Sequence, residues 1–375
     1  MGIKKFTTLF NYEDEIKYKN IANKNVAIDA MAEIYRCALG MKSISSLTDP
    51  QGFPTAYINS LLLGVIFKLK FFNINQYWFF DHPNNEGILH NPLKQLEIGK
   101  RKQKRDKAKK ELEKLEQMKI KKTEEMFSDT DEEDEKLQFE LEECINKKEK
   151  EAFCLQNFYI SDVKFMLDCL SIPWVEVPKG YESEQIASFL TFKKTKQVPI
   201  MDYVLTPDPD ALIFGARKII KRDFRKGKRG KLFEYRLDKI LRDFNITEDE
   251  LIKVALILGT DFAKKTPRVG PKTLFKKLPK TKLKNKKFLE TLTEQQLHNI
   301  ENLTNFDIIT LTEEQQTAMD KMFKKPFPSN PLKWNNLNKT PFSNKSSIKL
   351  LLDWLEITKG FKRERIQKQL DKLNL

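Results

Sequence analysis

The chain has 375 residues, with 68 Lys and Arg against 53 Asp and Glu, giving a formal net charge of +15. That length holds a sizeable core in one large domain or two smaller ones, and the positive excess points to a polyanionic partner, with a plain lysine-rich surface as the bland alternative. The 4 cysteines show no CxxC spacing and there are only 3 histidines, which excludes a disulfide framework, a Cys/His zinc cluster and a histidine-based hydrolytic triad.

Residues 1–91 alternate strand-like and helix-like runs. Residues 26–28 and 77–80 read as buried strands around a helix at 56–72, the pattern of a βαβ unit. From Lys94 the character changes. Residues 100–122 are dense in Lys, Arg and Glu, with Leu112, Leu115 and Met118 at three-residue spacing, which predicts a long solvated helix. Residues 124–135, containing SDTDEEDE, have no apolar stripe and are expected to be a disordered acidic loop. Residues 137–153 read as helix again, so 94–157 is expected to be a charged helical hairpin inserted into a sheet domain.

Sheet pattern resumes after Ile172, with a strand at 203–205 and a basic turn at 221–229 between two further runs. Helical pattern dominates later, at 250–259, 271–278, 312–323 and 347–373. No internal repeat is present, and no apolar run approaches the ~20 residues that span a bilayer. No signal peptide opens the chain, so the expectation is a soluble intracellular protein with no membrane partner.

Acidic residues recur where these segments end. They are Asp29 in NVAIDA, Asp81 in QYWFFD, Glu182 and Glu184 in GYESEQ, Asp208 and Asp210 in TPDPDAL, and Asp261 in LILGTD. Parallel sheets place ligands at the carboxyl ends of their strands. Acids converging there form an oxygen-lined pocket for hard divalent cations, suited to two-metal phosphodiester cleavage. Each has a bland reading. A Glu in a helix's first turn is common for dipole reasons, and Asp-Pro-Asp also makes an ordinary capped turn. Asp261 could be a plain loop residue. Beyond it, TPRVGPK is a Gly-Pro turn leading into a helix, with Lys264, Lys265, Arg268, Gly270 and Lys272 placed to meet DNA phosphates.

Taken in order, MGI, AIDA, FFD, the basic helix, ExE, DPDALIFG and LGTD…VGPK resemble the flap endonuclease family of the structure-specific 5′-nuclease superfamily, over nearly the whole chain. The resemblance implies an α/β fold: a central, mostly parallel sheet flanked by helices, an inserted helical arch, and a helical carboxyl-terminal DNA-binding region of helix–hairpin–helix type. It divides the chain into nuclease halves at 1–93 and 158–270, an arch at 94–157 and a helical region at 271–375, integrated in one catalytic domain. It implies that Asp29, Asp81, Glu182, Glu184, Asp208, Asp210 and Asp261 hold two Mg²⁺ ions, with Mn²⁺ able to substitute. Glu182, Glu184 and Asp81 would lie nearer one ion, and Asp208, Asp210 and Asp261 nearer the other. Lys94 and Arg101 match the family's basic pair facing the scissile phosphate; their spacing of seven keeps both on one helix face. Tyr35 matches an aromatic that stacks on an unpaired base, against the bland reading of a core tyrosine, and Gly2 matches a glycine close to the active site.

The activity implied is metal-dependent cleavage of 5′ flaps at single-strand/duplex junctions, with 5′–3′ exonuclease activity, in DNA replication, recombination or repair. The partner is then DNA with flaps or junctions and the chain a monomer, in the nucleus or at a viral cytoplasmic replication site. Alternatives are a junction resolvase or mismatch exonuclease of the same superfamily, an RNA-cleaving relative, and a non-catalytic DNA-binding scaffold. The chain departs from the family pattern at His82, which replaces a glycine, in the longer loop PKGYESE, and at Arg268, which replaces the first glycine of a potassium-linked turn. There is no glutamate at 52–58, where the family's 3′-flap pocket often supplies one. Residues 316–323 (QTAMDKMF) half-match a sliding-clamp box with one aromatic where two are wanted, which leaves clamp binding open. Ser128 and Thr130, embedded in acid, resemble acidophilic-kinase sites.

Overall fold

The computed structural model describes residues 14–40, 47–84, 92–125, 132–192, 200–223, 230–244, 246–267, 311–330 and 332–374. Gly2, Ser128, Thr130, Arg268, Gly270, Lys272 and the expected helix at 271–278 lie outside the described residues. The chain forms two units, each assembled from separated segments. The first comprises 1–29, 72–94 and 175–334; the second comprises 30–71, 95–174 and 335–375.

An eight-stranded sheet organises the first unit, in the order β1 (Asp14–Ile16), β7 (Leu232–Arg236), β6 (Lys218–Arg222), β5 (Tyr203–Leu205), β2 (Asn25–Asp29), β3 (Asn75–Phe80), β4 (Trp174–Glu176) and β8 (Trp334–Asn335). Among the central strands, β3, β2, β5 and β6 run parallel, while β7 returns antiparallel to β6 and β1 antiparallel to β7. The central strands are buried on both faces: Val26, Ala27, Ile28, Val204 and Leu205 are at most 1% exposed. That explains why they read as continuous apolar runs rather than alternating ones.

Helices of the first unit cover this sheet. The helix Ser183–Phe189 packs on β2, β3 and β5, and Asp210–Ile213 packs on β6 and on Glu248–Leu258. Thr247 caps Glu248–Leu258 by accepting the Glu250 N–H at 3.2 Å, while the Glu250 carboxylate accepts the Thr247 N–H at 2.6 Å. Helix Glu313–Ala318 runs through a π turn (Met319–Phe323) that buries Met319, Met322 and Phe323 in the same core. The apolar residues of the half-matched clamp box are therefore core residues.

The second unit is helical. Helix Ala30–Leu39 packs on Ala56–Leu61 and on Asn157–Cys169, and Lys345–Asp353 packs on Asn157–Cys169. A buried ion network ties it together. The Lys359 ammonium lies 2.7 Å from Asp162 and 3.5 Å from Asp49, and the Tyr57 hydroxyl donates to Asp162 at 2.6 Å. The expected hairpin is present as helices Pro92–Glu125 and Glu132–Ala152, bridged by Lys148–Glu111 at 2.6 Å and Lys119–Glu142 at 2.9 Å. Leu112 and Leu115 are half-buried, but Met118 is exposed. Of the stretch expected to be an acidic loop, residues 124–125 end one helix and 132–135 begin the next, while 126–131 lie outside the described residues. Acidic sequence suits a helix start, where the dipole favours negative charge.

Gly259 ends the helix Glu248–Leu258 at φ +92°. A Cβ there would stand 2.8 Å from the Lys265 Cβ and 3.0 Å from its backbone nitrogen. The following loop can fold back only past a glycine. We expect Gly259→Ala to destabilise the protein by roughly 1–3 kcal/mol, the cost of a strained backbone, read as a lower urea midpoint at unchanged slope.

Candidate active site

The parallel register sets the site. Ile28 pairs with both Trp78 and Leu205, and Asp29 pairs with Phe79, so β2, β3 and β5 end at one sheet edge. Asp29 is the last residue of β2, Asp81 follows β3 directly, and Thr206 follows β5 into the turn carrying Asp208 and Asp210. Glu182 is the N-cap of the helix Ser183–Phe189, and Glu184 lies in its first turn. Asp261 lies two residues past Gly259. All seven acids belong to the first unit, as does Lys94.

Hydrogen bonds fix these carboxylates. The Ser183 N–H, at the start of its helix, donates to Asp81 Oδ1 at 2.8 Å, and the Asp210 N–H donates to Asp208 Oδ1 at 3.1 Å. The Thr206 hydroxyl lies 3.1 Å from Asp29 Oδ2 and 3.0 Å from Glu184 Oε1, and accepts the Asp208 N–H at 3.2 Å. Gln185 secures the helix start: its side-chain oxygen accepts the Glu182 N–H at 2.9 Å and its amide donates to the Met322 carbonyl at 2.7 Å.

Lys94 enters this acid cluster as a cation. Its Nζ donates to Glu182 Oε1 at 3.0 Å and Asp261 Oδ2 at 3.2 Å, and stands 4.9 Å from the Phe262 ring centre. Burial alone would lower the Lys94 pKa, but the Glu182 and Asp261 carboxylates outweigh it and hold the ammonium charged. Burial raises the Glu182 pKa and Asp81 and Asp261 add to it, while Lys94 opposes them. Glu184 is pushed well above the ordinary carboxylate range, first by burial and then by Asp208, Asp29 and Asp210.

Two electrostatic groups result: Glu182 with Asp81, Asp261 and Lys94, and Glu184 with Asp29, Asp208 and Asp210. Asp261 thus falls with Glu182, and Glu184 with Asp208. The cap and first-turn positions of one helix direct the two glutamates to different neighbours. In their present rotamers no three acid, histidine or cysteine side chains among the described residues converge as a finished ion cage. The donor set nevertheless fits hard divalent cations, being all carboxylate oxygen with two glutamates whose charge the fold penalises.

The remaining expected residues are distributed as follows. Arg101 belongs to the second unit, where its guanidinium pairs with Glu97 one turn back. Tyr35 in the same unit is half-buried, and its ring tilts against Phe153 with centroids 5.3 Å apart. Burial raises the Tyr35 pKa, while the Arg105 and Arg101 guanidiniums act to lower it, so both cations lie near this phenol. Lys264 and Lys265 are exposed on the loop after Asp261. The Gln315 amide holds that loop, donating to the Leu256 carbonyl at 3.0 Å and the Lys264 carbonyl at 3.0 Å. His82 serves locally, its Nδ1 accepting the Asn84 N–H at 3.1 Å. The longer PKGYESE loop packs on residues 325–326: Lys325 donates to the Gly180 carbonyl at 2.6 Å and the Tyr181 hydroxyl to the Pro326 carbonyl at 2.8 Å. Sequence reading passed over Thr206, Ser183 and Gln315. Of these only Thr206 carried a signal, a hydroxyl between a buried strand and an Asp-Pro-Asp turn.

Comparison with known proteins agrees with this geometry. The family model described as XPG I-region matches residues 171–261, the stretch carrying Glu182, Glu184, Asp208, Asp210 and Asp261. Flap endonuclease 1 of Methanosarcina acetivorans is 27% identical over 278 residues, covering 71% of this chain and 72% of the relative. The namesake from Methanobrevibacter smithii is 24% identical over 362 residues, covering 96% and 92%. Among solved structures, flap endonuclease-1 from Methanococcus jannaschii superimposes with a TM-score of 0.60 at 19% identity, covering 99% of this chain and 98% of that one. The Holliday junction-resolving enzyme GEN1, solved with product DNA, Mg²⁺ and Mn²⁺ ions, gives 0.57 at 14% identity, covering 99% and 77%. These structural likenesses establish the fold.

The sheet and its flanking helices give the chain the fold of those solved structures. In sequence the chain is similar to flap endonucleases over most of its length, and residues 171–261 match the XPG I-region model.

Because the folded protein raises the Glu184 pKa, that carboxyl favours the fold only while protonated, and its contribution is lost as pH rises through the raised value. Glu184→Gln should therefore raise the melting temperature of the protein in EDTA at pH 8, with the gain shrinking towards pH 5. Excess Mg²⁺ should stabilise the parent chain more than this variant. Scanning calorimetry at the two pH values, with and without Mg²⁺, reads both effects.

Proposed function

We propose that this chain is a divalent-metal-dependent endonuclease that cuts DNA 5′ flaps at single-strand/duplex junctions, with 5′–3′ exonuclease activity from the same site. One observation carries the reading: seven carboxylates gathered at one sheet edge, with the Lys94 ammonium among them at 3.0 and 3.2 Å. Such a cluster is costly to stability and is justified by cation binding. Magnesium is the proposed cofactor, with manganese as substitute, held by Asp29, Asp81, Glu182, Glu184, Asp208, Asp210 and Asp261. When bound, the ions supply Lewis-acid polarisation of the phosphodiester and lower the pKa of water.

The chain's own residues do the rest. Lys94 is the proposed electrostatic catalyst, its ammonium exchanging Glu182 and Asp261 for the negative charge developing on the scissile phosphate. Arg101, two turns along the same helix, is proposed to share that role. Tyr35, with Arg101 and Arg105 near it, is proposed to stack on an unpaired base while the guanidiniums meet its phosphates. The hairpin 94–157 would flank the 5′ strand, and Lys264 and Lys265 would grip duplex phosphate.

An end-labelled 5′-flap duplex should be cut near the junction in Mg²⁺. Cleavage should be lost in EDTA and reduced by at least about 10²–10³-fold in Asp208→Ala/Asp210→Ala, with DNA affinity retained. Tight binding without cleavage in either Mg²⁺ or Mn²⁺ would replace this reading with that of a scaffold. A faster cut on four-way junctions than on flaps would move it to the resolvases.

A further inference from the structure

The geometry points to Thr206 as the positioning residue that draws Asp29 and Glu184 onto one ion and aligns Asp208 with them. This inference rests on the two-ion reading above. Thr206 is fully buried, and its backbone N–H donates to the Ile220 carbonyl at 3.1 Å, which anchors it to the sheet as β5 ends. Its side chain is aimed by the strand end rather than by the turn beyond.

The hydrogen-bond capacity of a hydroxyl makes the arrangement specific. It has one proton to donate and lone pairs to accept. The Asp208 N–H at 3.2 Å takes the acceptor side. The single proton faces two carboxylate oxygens, Asp29 Oδ2 at 3.1 Å and Glu184 Oε1 at 3.0 Å. Those acids come from different elements, the end of β2 and the first turn of the helix Ser183–Phe189. One atom therefore ties three acid-bearing segments together: two by their carboxylates and the third by its backbone. It acts through the acids it orients, as outer partners of metal-binding carboxylates do.

The core alone gives no reason for a hydroxyl at a fully buried strand end. A valine of the same shape would pack as well and would remove a polar atom from the interior. What valine cannot do is offer a proton to the Asp29 and Glu184 carboxyl groups while accepting the Asp208 N–H, and this is why the position needs threonine or serine.

The test is Mn²⁺ uptake by the full chain without DNA, followed by electron paramagnetic resonance of the free ion, for the parent, Thr206→Val, Thr206→Ser and Thr206→Ala. Far-UV circular dichroism and thermal unfolding of each are recorded in EDTA. Thr206→Val should bind Mn²⁺ at least about 10-fold more weakly than the parent, with Thr206→Ser within about threefold. Flap cleavage by the valine variant should recover at high Mn²⁺, and its DNA affinity in EDTA should match the parent's. A folded valine variant that binds Mn²⁺ like the parent overturns the inference and leaves the nuclease reading intact. If the valine variant fails to fold, the serine–alanine pair decides: weaker uptake by alanine supports the inference, and equal uptake overturns it. Failure of the parent itself to take up Mn²⁺ overturns the two-ion reading, and this inference with it.

Discussion

Seven carboxylates brought to one sheet edge repel one another, and the local structure is organised around that repulsion. At contact distances in a partly buried setting, two like charges cost each other several kcal/mol on the order of magnitude expected for an intermediate dielectric. The fold meets this cost with donors. Backbone amides of Ser183 and Asp210 serve Asp81 and Asp208, the Thr206 hydroxyl serves Asp29 and Glu184, and the Lys94 ammonium serves Glu182 and Asp261. Glu184 still keeps a strongly raised pKa, so the cluster remains an unmet demand for positive charge. A divalent cation answers that demand, and so does the ammonium already there. Lys94 thus stands in for cation charge within the cluster, on the helix the proposal assigns to the scissile phosphate.

The rest of the first unit serves to hold acids from remote parts of the sequence in this arrangement. Parallel pairing of β2 with β3 and β5 makes their ends coincide, which a meander could not do for residues as far apart as Asp29 and Asp208. The helix Ser183–Phe189 lies on those strands, and Gln185 ties its start to Met322. Gly259 and Gln315 turn the loop after Asp261 back on itself. The second unit carries a different kind of surface, in which Tyr35 sits near Arg101 and Arg105 and a long charged hairpin extends from the helices.

Much of this was legible in the amino-acid order. Short apolar runs followed by Asp29, Asp81 and, three residues on, Asp208 announced buried parallel strands, because strands covered on both faces need apolar residues throughout. The helical hairpin was legible from charge density, although residues 132–135 begin a helix, because acid at a helix start resembles acid in a loop. The partition of the chain was not legible. Residues 30–71 and 335–375 share a unit through contacts such as Lys359 with Asp49, and no local pattern encodes a pairing so distant. Nor was the division of the acids. Glu182 and Glu184 are two residues apart, and only cap geometry sends one towards Lys94 and the other towards Thr206. Thr206 and Gln315 escaped notice because a buried hydroxyl and a buried amide look ordinary until their partners are seen.

Anomalous diffraction from crystals of the chain grown with Mn²⁺ and a 5′-flap duplex would decide whether carboxylate repulsion is resolved by cations. Two manganese peaks about 3.5–4 Å apart are expected, one near Glu184, Asp29 and Asp208 and the other near Glu182, with Lys94 moved from the acids to the phosphate. An unbroken Lys94 bridge to Glu182 and Asp261, with no manganese among the seven acids, would contradict it.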